Sequence, residues 1–194
     1  MTKSRLEAFS DGVIAIVLTI MVLDLKVPKE HSVDALAAMW PIYLAYTISY
    51  LNVFLVWLSH HDLFVTLKTI DRAVLTANGL LLFVASLIPF ATAFAGEAHW
   101  KSAVAVATYG LVMIAVNLAF SYLLMAARRC APDAVAAARY RQEARTSCLF
   151  ASLFLAGTLT VFFAPRLALV VFTLTPLLIA AHRRRSAASV VSRA

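Results

Sequence analysis

Six apolar runs, each of about 15 to 27 residues, divide this chain, and they restrict its fold more than any other feature. Runs of that length are too long for buried strands. In hydrocarbon every backbone N–H and C=O must find a partner, and a single segment can supply its own partners only as an α-helix. The runs predict helices over Leu6–Leu25, Val33–Ser59, Ala73–Ala95, Ser102–Ala126, Thr146–Ala164 and Leu167–Ala181. With 62% hydrophobic and 14% charged residues the chain lies outside the range of soluble domains. The expected fold is an all-α integral membrane domain over residues 1–182, followed by a basic, disordered tail over residues 183–194. Pro165-Arg166 predicts a tight antiparallel hairpin between the last two helices, and Pro89 and Pro176 predict local kinks or ends.

The net charge of +7 has a topological explanation. Thirteen of the 17 Lys and Arg residues fall on one side of the six runs, and only Lys26, Lys29, Lys101 and Arg166 fall on the other. Basic residues collect on the cytoplasmic side, so both termini are expected there, and no nucleic acid is needed to account for the basicity. Trp40, Trp57 and Trp100 lie near run ends, as an interfacial belt requires. The longest polar segment, RRCAPDAVAAARYRQEAR, reads as a solvated basic linker, with a short surface helix as the alternative. Lys3 and Arg5 before an apolar run imitate a signal peptide, but no small-x-small site follows Leu23, so the run reads as a retained helix. Cys130 and Cys148 lack zinc-type spacing and read as reduced thiols; no metal site is expected. Phosphate-binding, zinc-protease and serine-hydrolase motifs are absent, as is the T-V-G-Y-G filter, and no nucleophile–base set suggests an enzyme.

The first helix has an unusual layout. Its uninterrupted apolar window runs only from Gly12 to Leu23, and twelve residues span about 18 Å against a hydrocarbon core of about 30 Å. Asp11 and Asp24 therefore lie at or just inside membrane depth, where carboxylates face protein or water. At about 100° per residue, Arg5, Phe9, Gly12, Ile20 and Leu23 fall within about 40° of Ile16, and Val13 and Thr19 within about 60°. Ser10 and Asp11 point the other way. An apolar stripe of this kind suits lipid contact, helix packing or a pore lining, and the short window disfavours lipid. Asp24 either draws cations at an outer mouth or pairs with Lys26, Lys29 or Lys101.

Asp11 has no partner within its own helix and must find one elsewhere. His60 and His61 end the second run, and point about 100° apart, a poor metal pair. A histidine that bonds a carboxylate inside the bundle is the expectation. Asn78 sits at similar depth in the third run. These residues predict a buried cluster of Ser10, Asp11, one histidine of the pair and Asn78, with Trp57 among the supporting polar residues; the simpler alternative is that Asp11 only caps the first helix.

Arg5, Phe9, Ser10 and Asp11 spell R-x-x-x-F-S-D on the first helix. Together with WLSHH (Trp57 to His61) and NGLLLFVASLIPFATAF (from Asn78), this resembles the transmembrane protein 175 family of potassium channels in its prokaryotic single-repeat form. The similarity covers about Arg5 to Phe94. It implies a homotetramer in a prokaryotic plasma membrane, with no cofactor beyond permeant potassium, in which the first helix of each subunit lines the pore. It implies a first hydrophobic layer at Ile16 and further layers at Thr19 or Ile20 and at Leu23, with the motif's polar residues tying the first helix to the second and third. The alternatives are a proton-coupled secondary transporter, with Asp11 and a histidine as relay, and a non-conducting membrane scaffold.

Overall fold

The computed structural model describes residues 2–191. All regular structure among them is helical. Thr2 caps α1 (Lys3–Leu23), accepting the Arg5 N–H on its hydroxyl at 3.4 Å. Ser32 caps a short α2 (Val33–Ala38). The chain restarts at once as α3 (Trp40–Thr66), whose second residue, Pro41, suits a first turn, where the missing N–H costs nothing. Asp71 caps α4 (Arg72–Ala85) through a 2.8 Å bond from Val74 N–H. Next come α5 (Ile88–Glu97), α6 (Ala103–Ala127), a 3₁₀ turn over Arg128–Cys130, α7 (Ala134–Thr160) and α8 (Pro165–Val191).

Four segments are long and apolar enough to cross a membrane: α1, α3, the α4–α5 pair and Ala103–Cys130. The apolar part of α8, Leu167–His182, is shorter.

Several boundaries differ from the sequence expectation, each for a local reason. The third run is two helices. Pro89 has no N–H to offer the Ala85 carbonyl, and the chain breaks at Ser86–Leu87, where the Ser86 hydroxyl bonds Phe83 O at 2.6 Å. The second run is also split, at Met39, and α3 continues past Ser59 to Thr66. The expected basic linker is helix: Asp133 caps α7 at 2.8 Å, alanines and long polar side chains favour helix, and Arg139 pairs with Glu143 one turn on at 2.7 Å. That extension is not a surface helix, for Tyr140 is buried and shares a 2.7 Å hydrogen bond with Thr66 at the end of α3. Pro176 neither ends nor divides α8; the Thr173 and Thr175 hydroxyls bond Leu169 O and Val171 O nearby. Residues 183–191, expected to be disordered, continue that helix, since Arg, Ser and Ala offer no stop signal; residues 192–194 lie outside the described range.

The core centres on α6, which packs against α4, α5 and α7. Tyr109 is fully buried there among Trp100 and Phe172. Its hydroxyl accepts from Ser49 at 3.2 Å, and Ser49 accepts from Thr92 at 2.7 Å, which ties α3, α5 and α6 together. A close approach occurs at Gly110, where a Cβ would stand 1.9 Å from Thr158 Oγ1. His99 and Trp100 turn the chain with φ of 52° and 56°. Left-handed backbone at non-glycine residues costs about 1–2 kcal/mol each. The bond from Trp100 Nε1 to Pro41 O at 3.1 Å and the burial of its indole offset that cost.

Candidate functional site

α1 packs chiefly on α3, α4 and α5, at the flank of the α6 core. Its buried residues are Leu6, Ser10, Ile14, Val17 and Met21, a 4-4-3-4 spacing that defines one helical face. The opposite face has no cover among the described residues. Phe9 is 58% exposed, Ile16 57%, Ile20 44% and Leu23 77%, with Arg5, Gly12 and Thr19 beside them. This is the stripe that helical periodicity puts on one side. The Thr19 hydroxyl donates to Ile16 O at 3.0 Å, so its oxygen lone pairs remain on the exposed side.

The face turned inward is fixed by directional bonds near its start. Asn78 of α4 is fully buried between α1 and α3. Its Nδ2 donates to Ser10 Oγ at 2.9 Å, and Ser10 donates on to Leu6 O at 2.8 Å. Because the amide spends its donor on Ser10, Oδ1 is its acceptor, and His60 Nε2 donates to it at 2.7 Å. This places a proton on His60 Nε2, and among the described residues the buried Nδ1 has no hydrogen-bond partner. The His60 ring stacks on Phe64 with centroids 4.4 Å apart.

Asp11 makes a different bond from the one expected. Its Oδ1 accepts from Trp57 Nε1 at 2.9 Å, and His60 bonds Asn78 instead of a carboxylate. The reason is rotation: Trp57 and His61 share one face of α3, one turn apart and stacked, whereas His60 faces inward. α1 and α3 thus meet in one hydrogen-bonded rung, Asp11–Trp57, with the Glu7 carboxylate 3.9 Å from His61 Nδ1 a turn away, beyond hydrogen-bond reach. The carboxylate end of a charge-assisted bond stabilises more than a neutral pair would. Glu7 was not among the sequence candidates; its signal was its position four residues before Asp11.

At the other end, Asp24 caps α1, and among the described residues it forms no salt bridge. The Lys26 ammonium pairs with Glu97 of α5 instead, and that hydrogen bond raises the lysine above its ordinary value. Among the described residues no group of His, Cys, Asp or Glu could hold a metal ion.

Residues 5–89 match the family model described as Endosomal/lysosomal potassium channel TMEM175. A protein named potassium channel from Chryseobacterium sp. (strain P1-3) is 47% identical over 130 residues, 67% of this chain and 67% of that one. Another of that name from Streptomyces collinus (strain DSM 40733 / Tue 365) is 43% identical over 128 residues, 62% of each. The crystal structure of a lysosomal potassium-selective channel TMEM175 homolog from Chamaesiphon minutus matches with a TM-score of 0.80 and 30% identity, over 93% of this chain and 97% of that one. The chain therefore spans about two thirds of the length of these curated relatives and nearly all of the solved structure.

Proposed function

The chain belongs to the TMEM175 family, and from that premise we propose that it is a potassium-preferring cation channel whose pore is lined by α1 of each subunit in a homotetramer. The family is one of ion channels, not enzymes. The observation that carries the reading is the division of α1 into two faces: one bonded into α3 and α4, the other a stripe with no cover among the described residues.

Six spans, with α7 and α8 supplying the fifth and sixth, put both termini on the cytoplasmic side of a prokaryotic plasma membrane. Four copies of Ile16 at one level form a ring narrower than a hydrated ion, which must then shed water without replacement ligands. Ile20 and Leu23 add further rings. Thr19, about 60° round the helix from Ile16, offers hydroxyl oxygens once the isoleucines turn aside. Potassium holds its water less tightly than sodium, so partial dehydration favours it without a carbonyl filter. Four copies of Asp24 at the outer mouth raise the local cation concentration, and the engagement of Lys26 by Glu97 supports that use of the carboxylate. The channel needs no cofactor beyond the permeant ion. Within R-x-x-x-F-S-D, Ser10 and Asp11 then act as the anchor that sets the rotation of α1, while Arg5 and Phe9 lie on the stripe.

Cation flux from liposomes that hold the purified protein tests this. Potassium efflux above sodium efflux, with no proton gradient imposed, is expected. Flux that requires a proton gradient would replace the channel with a coupled transporter, and the absence of flux from both the parent and an Ile16→Asn variant would leave a scaffold.

A further inference from the structure

A cavity of about 680 Å³ opens between α3, α6, α7 and α8, at the end of the bundle where α3 stops and α7 begins. That volume is within the range of small-molecule sites, about 300–1,000 Å³. None of its lining comes from α1.

Its chemistry changes along the helices. Towards the middle of the bundle the walls are Leu55, Val56, Phe120, Phe150 and Ile179. Towards the end they are Asp62, Arg139, Gln142, Glu143, Thr146 and His182. Thr146, Phe150 and His182 also line a second groove, which continues between α7 and α8 past Leu149, Leu153 and Leu178. The outlet is thus an exposed apolar track along two helices, and the chamber behind it has a charged rim.

The rim carries both signs. Arg139 donates through Nε to Glu143 at 2.7 Å, and its two amino groups hold four further N–H donors. Asp62 is near enough to act on the same guanidinium. A purely anionic head would meet two carboxylates, and a purely cationic one would meet the arginine. A head with a phosphate and an ammonium meets complementary charge at both ends. We propose that this cavity binds the head of a phospholipid of the phosphatidylethanolamine class, phosphate towards Arg139 and Gln142 and ammonium towards Asp62 and Glu143, with an acyl chain in the α7–α8 groove. The proposal rests on the chain sitting in a bilayer and not on ion conduction.

Native mass spectrometry of the purified full-length protein tests it, after delipidation and addition of phosphatidylethanolamine or phosphatidylglycerol in equal amounts. One phosphatidylethanolamine per chain is expected, retained about tenfold better than phosphatidylglycerol. Thr146→Trp fills the throat and should lower retention about tenfold; Leu155→Trp, on the exposed side of the same helix, should not. Arg139→Gln leaves the space open and should weaken retention by a similar factor, so it decides the matter if the tryptophan variant misfolds. Equal retention of the two lipids, or unchanged retention in Arg139→Gln, would overturn the proposal. Because the readout is bound lipid, a protein that conducts but retains none overturns this inference alone, and one that retains lipid but never conducts overturns the channel reading alone.

Discussion

Replacing Asn78 by alanine should be among the more costly changes at the α1 anchor, and the size of the loss can be worked from its bonds. The side chain is fully buried and makes two hydrogen bonds, to Ser10 Oγ at 2.9 Å and from His60 Nε2 at 2.7 Å. Ser10 keeps its bond to Leu6 O, so it loses little. His60 loses the only partner its ring nitrogens have among the described residues, because Nδ1 already has none there. A buried donor left unpaired costs about 1–3 kcal/mol in proteins, with smaller values, about 0.6 kcal/mol on average, inside membranes. The missing amide group leaves a void worth about 1 kcal/mol more at about 24 cal/mol per Å³. The sum is about 2–4 kcal/mol on the first figure and about 1.6 kcal/mol on the second. Ser10→Ala alone should cost about 1 kcal/mol, since it strands the Asn78 donor, but close to nothing in the Asn78→Ala background. Equilibrium unfolding in mixed detergent micelles measures all four corners of this cycle. Strict additivity, or an Asn78→Ala protein within about 0.5 kcal/mol of the parent, would show that the buried chain from Ser10 to His60 does not hold α1.

Ile16→Asn should raise potassium leak about tenfold or more with little change in subunit stability, because over half of that side chain lies outside its own chain's core; unchanged conductance in folded protein removes Ile16 from the gate. Asp11→Ala should cost about 1–2 kcal/mol and lower the yield of assembled protein, with Trp57→Phe non-additive to it, and an Asp11→Ala protein as stable and as well assembled as the parent refutes the rung. Gly110→Ala should destabilise by about 3 kcal/mol or more, since the new methyl would overlap Thr158 Oγ1, and Thr158→Ala should recover part of the loss in a thermal-melt assay. Gly12→Ala meets nothing within 4 Å in its own chain, so the same melts should hardly move; a loss of assembly on size-exclusion chromatography would place Gly12 against another copy.

Much of α1 is legible in the sequence alone. Its stripe follows from the helical period alone, and the depth of Ser10, Asp11 and Asn78 follows from run boundaries, so the meeting of Ser10 with Asn78 was within reach. The partner of Asp11 was not. Depth placed Trp57, His60 and His61 within a turn of the same level, but α3 is apolar nearly all round, and nothing in its pattern fixes which side faces α1. Rotation settled the matter in favour of the indole. The α7 extension was hidden for a different reason: hydropathy marks where lipid ends, not where helix ends. Propensity carried the signal there, in Asp133 followed by alanines and an Arg139–Glu143 spacing of four. Pro89 announced a local break, and its missing bond to Ala85 delivered one.

The placement of the anchor bears on how a gate built on α1 would move. Directional bonds hold α1 at Ser10 and Asp11, and beyond its far end Lys26 is tied to Glu97. Between them Ile14, Val17 and Met21 make apolar contacts, which resist separation but set no precise angle. Ile16 is five residues past Asp11, about 7.5 Å along the axis, and Leu23 is about 18 Å past it. A tilt of about 10° about the anchor would carry Leu23 about 3 Å but Ile16 only about 1.3 Å. Rotation about the axis displaces both layers alike, and about 60° exchanges Ile16 for Thr19. On the proposed function, tilt therefore sets the width of the outer layer. The inner layer at Ile16 answers to rotation, and it is rotation that the bonds of Asp11 and Ser10, on the side of the helix away from the stripe, are placed to hold.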